Sequence, residues 1–158
     1  MMYHNQTPST YDEAIDSCAK YGAHLIEIFT EEEWSQVHPR DKCSTFSHLF
    51  FTSSFQLTNW VGHMTADYWI GLTDRQIEGT FVWESGRQLS ADIAKKWTPN
   101  QPDNYLGDQD CAYRGHSSYH NKLMDDTSCN GKKEFICQKR SSWSEPWSEL
   151  YVYVEELV

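Results

Sequence analysis

The sequence contains few basic residues, no long hydrophobic run and little glycine or proline. Its 158 residues include 13 Lys and Arg against 23 Asp and Glu, which gives a formal net charge of −10. A field of that sign repels phosphate backbones, so nucleic acid is excluded as an expected partner. No apolar stretch approaches the roughly 18 to 20 residues that a membrane helix needs, so we expect no membrane insertion.

The local patterns of the common catalytic sites are also missing. There is no nucleophile elbow, no HExxH pair and no phosphate-binding glycine loop, so we expect a protein that is not an enzyme. The chain does contain 7 Trp, 9 Tyr and 7 Phe, and this many large aromatic side chains are typical of a protein with a packed core. Its length fits one domain, which we place at residues 1–140 with an insertion around 38–67. We interpret residues 141–158 as an aromatic and acidic C-terminal tail.

Five cysteines are present, at positions 18, 43, 111, 129 and 137. Their spacing fits no zinc pattern of the CxxC kind, and widely separated cysteines in an acidic, aromatic-rich domain indicate an oxidising compartment. We therefore expect a secreted protein whose signal peptide is absent from this sequence. Four cysteines are interpreted as paired and one as unpaired, and any four cysteines allow three connectivities. A zinc site combining Cys111 and Cys129 with His116 and His120 is disfavoured, because the same cysteines are better used in a disulfide.

Two helices are predicted near the start of the chain. Each begins with a capping box, Thr10 with Glu13 and Thr30 with Glu33, and the second helix stops near Pro39. The first helix carries an apolar stripe with the spacing i, i+3, i+4, i+7 and i+8, formed by Tyr11, Ala14, Ile15, Cys18 and Ala19.

Short aromatic or β-branched runs at 68–72, 80–83 and 134–137 then predict strands, since turn residues bound them. The stretch between Trp97 and Cys111 has neither helical nor strand period. A long loop of this kind in a compact domain is usually either functional or disordered, and the flanking Trp97 and Cys111 favour a functional loop. The sequence therefore predicts two helices, then a small antiparallel sheet that holds a functional loop.

Four features stand in a fixed order along the chain: Cys18 after the first helix, Trp69-Ile70-Gly71-Leu72, Gln101-Pro102-Asp103, and the run from Cys111 through Cys129 to Phe135-Ile136-Cys137. Their order and spacing resemble a C-type lectin-like domain over roughly residues 3 to 138. The resemblance implies an α+β fold in which two helices flank small antiparallel β-sheets with a long calcium-binding loop. It also implies disulfides between Cys18 and Cys137 and between Cys111 and Cys129, which leaves Cys43 unpaired. The Asn130-Gly131 turn suits a β-hairpin between Cys129 and Cys137.

In this family the long loop binds calcium, and sugar hydroxyls coordinate that calcium directly. The chemistry of the residues agrees, because Ca²⁺ takes six to eight oxygen ligands and no other stretch of this chain is so rich in side-chain oxygens. The resemblance implies a principal site formed by Gln101, Asp103, Gln109, Asp125 and Asp126. It implies an auxiliary site formed by Asp74, Glu78, Asn104 and Asp110, with Gln109 shared.

Two departures from the family pattern affect the principal site. Gln109 stands where the family usually has Glu, and Met124-Asp125-Asp126 replaces Trp-Asn-Asp. We expect the two exchanges to compensate for each other. A sugar hydroxyl bound to calcium donates one hydrogen bond to a carboxylate and accepts one from an amide, and Gln109 with Asp125 still supplies one of each. The Gln-Pro-Asp order resembles the galactose-type loop, and Tyr105 stands where galactose binders often place a ring against the sugar. The residues expected to contact the ligand are Gln101, Asp103, Tyr105, Gln109 and Asp125.

We therefore expect a calcium-dependent lectin for glycans that end in galactose or N-acetylgalactosamine. The alternative is a domain of the same fold that binds a protein, or ice, without calcium-mediated sugar binding. Cys43 lies in the insertion among Phe46, Phe50 and Phe51, an apolar cluster that a monomer should not expose. We expect this segment to lie at a homodimer surface, or else to pack on the domain with Cys43 buried and inert.

Overall fold

The computed structural model describes residues 2–36, 66–115 and 123–139, which form a mixed sheet with short helices. This α+β architecture is the one predicted. No helix in these three stretches is long and apolar enough to cross a membrane. In chain order the elements are β1 (Met2–Ser9), α1 (Tyr11–Ala19), β2 (His24–Leu25), α2 (Glu31–Gln36), β3 (Tyr68–Thr73), β4 (Val82–Trp83), α3 (Ala91–Ala94), a 3₁₀ turn (Tyr105–Gly107), β5 (Cys111–Arg114), β6 (Met124–Thr127) and β7 (Lys133–Gln138).

Both predicted capping boxes form. At α1, the Glu13 N–H donates to Thr10 Oγ1 at 3.3 Å while the Thr10 N–H donates to the Glu13 carboxylate at 2.9 Å. The same exchange joins Thr30 and Glu33 at α2, with both distances 3.1 Å. These bonds satisfy backbone donors that have no partner inside the helix. The predicted end of α2 near Pro39 lies outside the described residues.

The strands lie in the order β1-β7-β3-β5-β6, with β2 also paired to β7 and β4 to β3. All pairs are antiparallel, as expected, except the central β3–β7 pair, which is parallel with Trp69 opposite Phe135. The predicted hairpin between Cys129 and Cys137 is wrong. Its turn forms, with the Gly131 N–H donating to the Ser128 carbonyl at 2.9 Å, but β7 pairs with β1, β2 and β3. That central place buries both faces of the apolar β7, which a two-stranded hairpin cannot do.

The core consists of two apolar clusters, and β7 contributes to both. Phe135 belongs to the cluster that includes Tyr11 and Trp69, whereas Ile136 belongs to the one that includes Ile70. Successive strand residues point to opposite faces, so the two clusters lie on the two sides of β7. The disulfides implied by the family resemblance are both present. Cys18–Cys137 fastens α1 to β7, and Cys111–Cys129 fastens the start of β5 to the segment after β6.

Two acidic residues join the end of β2 and the residues that follow it to the chain after β4. The Leu25 N–H donates to the Glu84 carboxylate at 3.1 Å, and the Ser85 N–H donates to the Glu27 carboxylate at 2.6 Å. We call this reciprocal pair the Glu27–Glu84 clasp. Gly71 of β3 lies between the two segments, donating to the Ile26 carbonyl and accepting from the Glu84 N–H, both at 2.9 Å. A Cβ at position 71 would come within 3.2 Å of the Leu25 carbonyl oxygen, so the glycine allows this close approach.

Several predictions concern residues outside the described ranges. They are the state of Cys43 and its apolar neighbours, most of the insertion around 38–67, the histidines 116 and 120, and the tail at 141–158. The domain boundaries, the unpaired state of Cys43 and the homodimer therefore stay predictions.

Candidate functional site

The long loop starts and ends on the β5–β6 pair. At its start, the Met124 N–H donates to the Lys96 carbonyl and the Thr98 N–H donates to the Met124 carbonyl, both at 2.8 Å. At its end the chain enters β5, which pairs with β6 along its whole length. The Gln101–Pro102 peptide bond is cis. The loop is therefore ordered, and hydrogen bonds to β6 hold both of its ends.

Asp126 of β6 fastens the middle of the loop. Its carboxylate is buried and accepts two backbone hydrogen bonds, from the Asp103 N–H at 3.2 Å and from the Asn104 N–H at 2.8 Å. Its backbone carbonyl accepts a third bond from Gln109 Nε2 at 3.2 Å. One residue of the sheet thus brings together three of the residues that the sequence analysis assigned to calcium binding.

The loop tip is closed by a second set of hydrogen bonds. The Tyr105 N–H donates to Gln109 Oε1 at 2.5 Å and to Asp103 Oδ1 at 3.2 Å. The Gln109 N–H donates to Asn104 Oδ1 at 3.0 Å. Asn104 and Leu106 have φ of +42° and +62°, and Gly107 follows at +70°. Residues 103–109 therefore form a compact tip in which Gln109 uses both side-chain polar atoms to hold the backbone.

Gln101 and Asp125 lie in different surroundings. Gln101 Oε1 is buried and has no hydrogen-bond partner among the described residues. Asp125 is also buried, and its carboxylate accepts a hydrogen bond from the Tyr113 hydroxyl at 3.1 Å. Because neighbouring strand residues alternate, the side chains of Asp125 and Asp126 point to opposite faces of β6. Asp126 reaches the loop directly, while Asp125 lies against β5.

Tyr113 and Lys133 surround Asp125 and were not singled out from the sequence. Tyr113 lies directly opposite Asp125 in the β5–β6 register. Burial and the Asp125 charge both raise the pKa of the Tyr113 hydroxyl. The Lys133 ammonium lies 3.6 Å from the centre of the Tyr113 ring, and burial lowers its pKa. The β5–β6 register brings Tyr113 to Asp125, and Lys133 reaches the Tyr113 ring from β7, which does not pair with β5. No local sequence signal marks either contact.

The proposed auxiliary residues surround the turn after β3. Asp74 is 3% exposed, its Oδ2 accepts from the Gly79 N–H at 2.8 Å, and its Oδ1 has no hydrogen-bond partner in the described part of the chain. Its backbone N–H donates to the Asp110 carbonyl at 3.2 Å. Burial raises the pKa of the Asp74 carboxyl, and the charges of Glu78 and Asp110 raise it further. Glu78 and Asp110 are therefore both close enough to act electrostatically on Asp74, and Glu78 is exposed at the surface.

Within residues 2–36, 66–115 and 123–139, no three His, Cys, Asp or Glu side chains form a group that could hold a metal ion. The structure joins Asp103, Asn104, Gln109 and Asp126 in one hydrogen-bonded set and Asp74 with Asp110 in another. The carboxylates of the implied principal site are thus distributed around the loop base.

The comparison that decides the family covers almost all of the described fold. The profile of the Lectin C-type domain matches residues 7–139. This chain belongs to the C-type lectin domain family. The lectins with this fold bind carbohydrate and are not enzymes, in agreement with the expectation from the sequence.

Two curated relatives share about the same sequence identity with this C-type lectin domain. A hemolymph lipopolysaccharide-binding protein of Periplaneta americana is 31% identical over 136 residues, which are 85% of this chain and 46% of that protein. An alpha-N-acetylgalactosamine-specific lectin of Patiria pectinifera is 30% identical over 139 residues, 84% of this chain and 69% of that protein. The chain thus spans about half the length of the first relative and two thirds of the second.

Solved structures show the same fold. The C-type lectin CEL-I from Cucumaria echinata superposes with a TM-score of 0.64 at 21% identity, covering 86% of each chain. Type II antifreeze proteins are also among the solved structures of this fold. The fold of this C-type lectin domain therefore does not by itself select a sugar as the ligand.

Proposed function

We propose that this C-type lectin domain binds carbohydrate through calcium and prefers galactose or N-acetylgalactosamine. The observation that carries the proposal is Gln101 Oε1, a buried acceptor without a hydrogen-bond partner in the described structure, two residues before Asp103 in the same ordered loop. A buried oxygen without a partner costs free energy, which a bound cation would offset.

The residues at the loop fit calcium by the chemistry of their donor atoms. Calcium accepts amide, backbone carbonyl and carboxylate oxygens in flexible geometry, so a site does not require three clustered acids. Gln101, Asp103, Gln109, Asp125 and Asp126 would hold the principal ion, and three of them carry formal negative charge. Asp74 Oδ1, also buried without a partner, supports the auxiliary site with Glu78, Asn104 and Asp110.

A bound calcium ion would supply two coordination positions for neighbouring hydroxyls of one sugar. The side chains then decide which sugar fits, because each hydroxyl donates one hydrogen bond to a carboxylate and accepts one hydrogen bond from an amide. Gln101 with Asp103 offers one acid and one amide, in the order that the family uses for galactose. The named specificity of the Patiria pectinifera lectin supports the same sugar class.

We also propose that the domain is extracellular. Two disulfides that fasten separate elements persist in an oxidising environment and are rare in the cytosol.

Retention on immobilised galactose tests the proposal. The domain should bind in millimolar calcium, elute with chelator, and be competed by galactose at lower concentration than by mannose. The matched variant is Gln101→Glu with Asp103→Asn, which introduces Glu-Pro-Asn, the order that the family resemblance implies for mannose-type loops, without changing the number of acids and amides. Its preference should shift toward mannose. Chelator-insensitive binding, or no retention on any sugar, would contradict the proposal and favour a calcium-free ligand such as a protein or ice.

A further inference from the structure

The tip of the long loop exposes two adjacent apolar side chains, Tyr105 and Leu106. Tyr105 is 66% exposed and Leu106 is 86% exposed, more than any other large apolar side chain in the described part of the chain. Tyr105 already has an expected role against the sugar ring. Leu106 has none, and nothing in the described part of the chain packs on most of its surface.

The backbone at Leu106 has a conformation that disfavours leucine. Its φ of +62° and ψ of 8° lie in the left-handed region, where a Cβ crowds the following carbonyl group and where Gly or Asn is usual. Exposure and backbone strain are thus two separate costs at one residue, and strain of this kind tends to persist at functional sites. The hydrogen bonds of the tip maintain it, because the Gly107 N–H donates to the Asn104 carbonyl at 2.9 Å just beyond Leu106.

The position of Leu106 limits what it can contact. Its neighbour Tyr105 donates its N–H to both Asp103 and Gln109, and consecutive Cα atoms are only about 3.8 Å apart. Leu106 is therefore next to a residue whose backbone is bonded to two side chains proposed to hold the sugar, and it lies three residues from each of them along the chain.

The nearby charges and the small size of the tip limit which apolar ligand could cover these two side chains. Asp108 is exposed two residues away and the chain carries a net charge of −10, so an anionic lipid surface would be repelled. Two side chains also provide far less area than a stable protein interface needs. A single small apolar group carried by the sugar is the occupant that fits.

We propose that Leu106 forms an apolar subsite beside the sugar, which selects glycosides whose aglycone is an alkyl or acyl chain. This inference rests on the proposed function, since it needs the sugar bound at the loop.

The test is calorimetric titration of the domain in calcium with methyl β-galactoside and with hexyl β-galactoside. We expect the hexyl glycoside to bind about tenfold more tightly, equivalent to ~1.4 kcal/mol and to the burial of about two methylene groups. Leu106→Asn and Leu106→Gly suit the left-handed backbone but remove the apolar side chain. In both variants the hexyl and methyl glycosides should bind about equally tightly, and the dissociation constant of the methyl glycoside should not change. Tyr21→Ser, a change at a comparably exposed residue in the turn after α1, is the control and should keep the preference.

Equal binding of the two glycosides by the unmodified domain would overturn the subsite while leaving the lectin function intact. A hexyl preference that survives in either Leu106 variant would overturn it as well. If neither galactoside binds, the proposed function itself fails, and the subsite fails with it.

Discussion

The Glu27–Glu84 clasp makes the stability of the domain depend on pH. Burial is the main reason that the pKa of the Glu84 carboxyl rises from 4.5 to about 7, and the charge of Glu27 raises it further. One Glu84 oxygen accepts from the Leu25 N–H, while the other is buried without a partner in the described structure. Ionising Glu84 therefore places a buried negative charge close to Glu27, and the bond from the Leu25 N–H compensates for only part of that cost.

The sign of the effect follows from proton linkage. The folded domain keeps the Glu84 proton up to a higher pH than the unfolded chain does, so the contribution to stability is complete below about pH 4.5. It is lost as the pH rises through about 7. The full pKa shift corresponds to about 3 kcal/mol, and solvent screening of this partly exposed carboxylate reduces the expected loss to about 1–2 kcal/mol.

Urea unfolding at pH 5 and pH 8, in chelator so that calcium does not contribute, measures this loss. The comparison is with Glu84→Gln, which keeps an oxygen acceptor for the Leu25 N–H but cannot ionise. Between pH 5 and pH 8 the unmodified domain should lose about 1–2 kcal/mol relative to the variant. Glu32→Gln, a change on the exposed side of α2, is the control and should show no such loss. A difference between the unmodified domain and Glu84→Gln that does not vary with pH would refute the reasoning.

Three further predictions concern the loop and β6. Calcium at about 5 mM should raise the Tm, because an ion that binds only the folded state with a Kd of ~10⁻⁴ to 10⁻³ M stabilises it; equal midpoints with and without chelator would contradict this. Asp125→Asn should weaken competition by galactose, and adding Gln109→Glu should restore it, since each hydroxyl again meets one acid and one amide; a double-mutant cycle measures the coupling, and additive effects would argue against compensation. Tyr113→Phe should destabilise the domain by about 1–2 kcal/mol in urea unfolding because buried Asp125 loses a donor, whereas an unchanged midpoint would show that the bond contributes nothing.

The parts of the fold that the sequence predicts are those specified by local interactions. The capping boxes at Thr10 and Thr30 each involve residues three positions apart, so sequence spacing alone indicates them. The disulfide pairing is different, because cysteine spacing leaves three connectivities open and only the family resemblance selected one.

The missed features depend on contacts between distant residues. Glu84 lies 59 residues from its partner Leu25, and the sequence between them gives no signal that the two meet. The parallel pairing of β3 with β7 is of the same kind. The calcium ligands stay a prediction, and the sequence gives no sign that Asp125 and Asp126, although adjacent, face different neighbours because a strand alternates its side chains.

The way Asp126 holds the long loop affects how the domain can change over evolutionary time. Its carboxylate binds backbone N–H groups, so it holds the loop whatever side chains residues 103 and 104 carry. The four residues from Tyr105 to Asp108 are exposed. Substitutions there therefore alter the exposed surface of the domain without disturbing the two core clusters. The residues that fasten the loop and the exposed residues of its tip are separate parts of one loop, so the tip can change with little loss of folding stability.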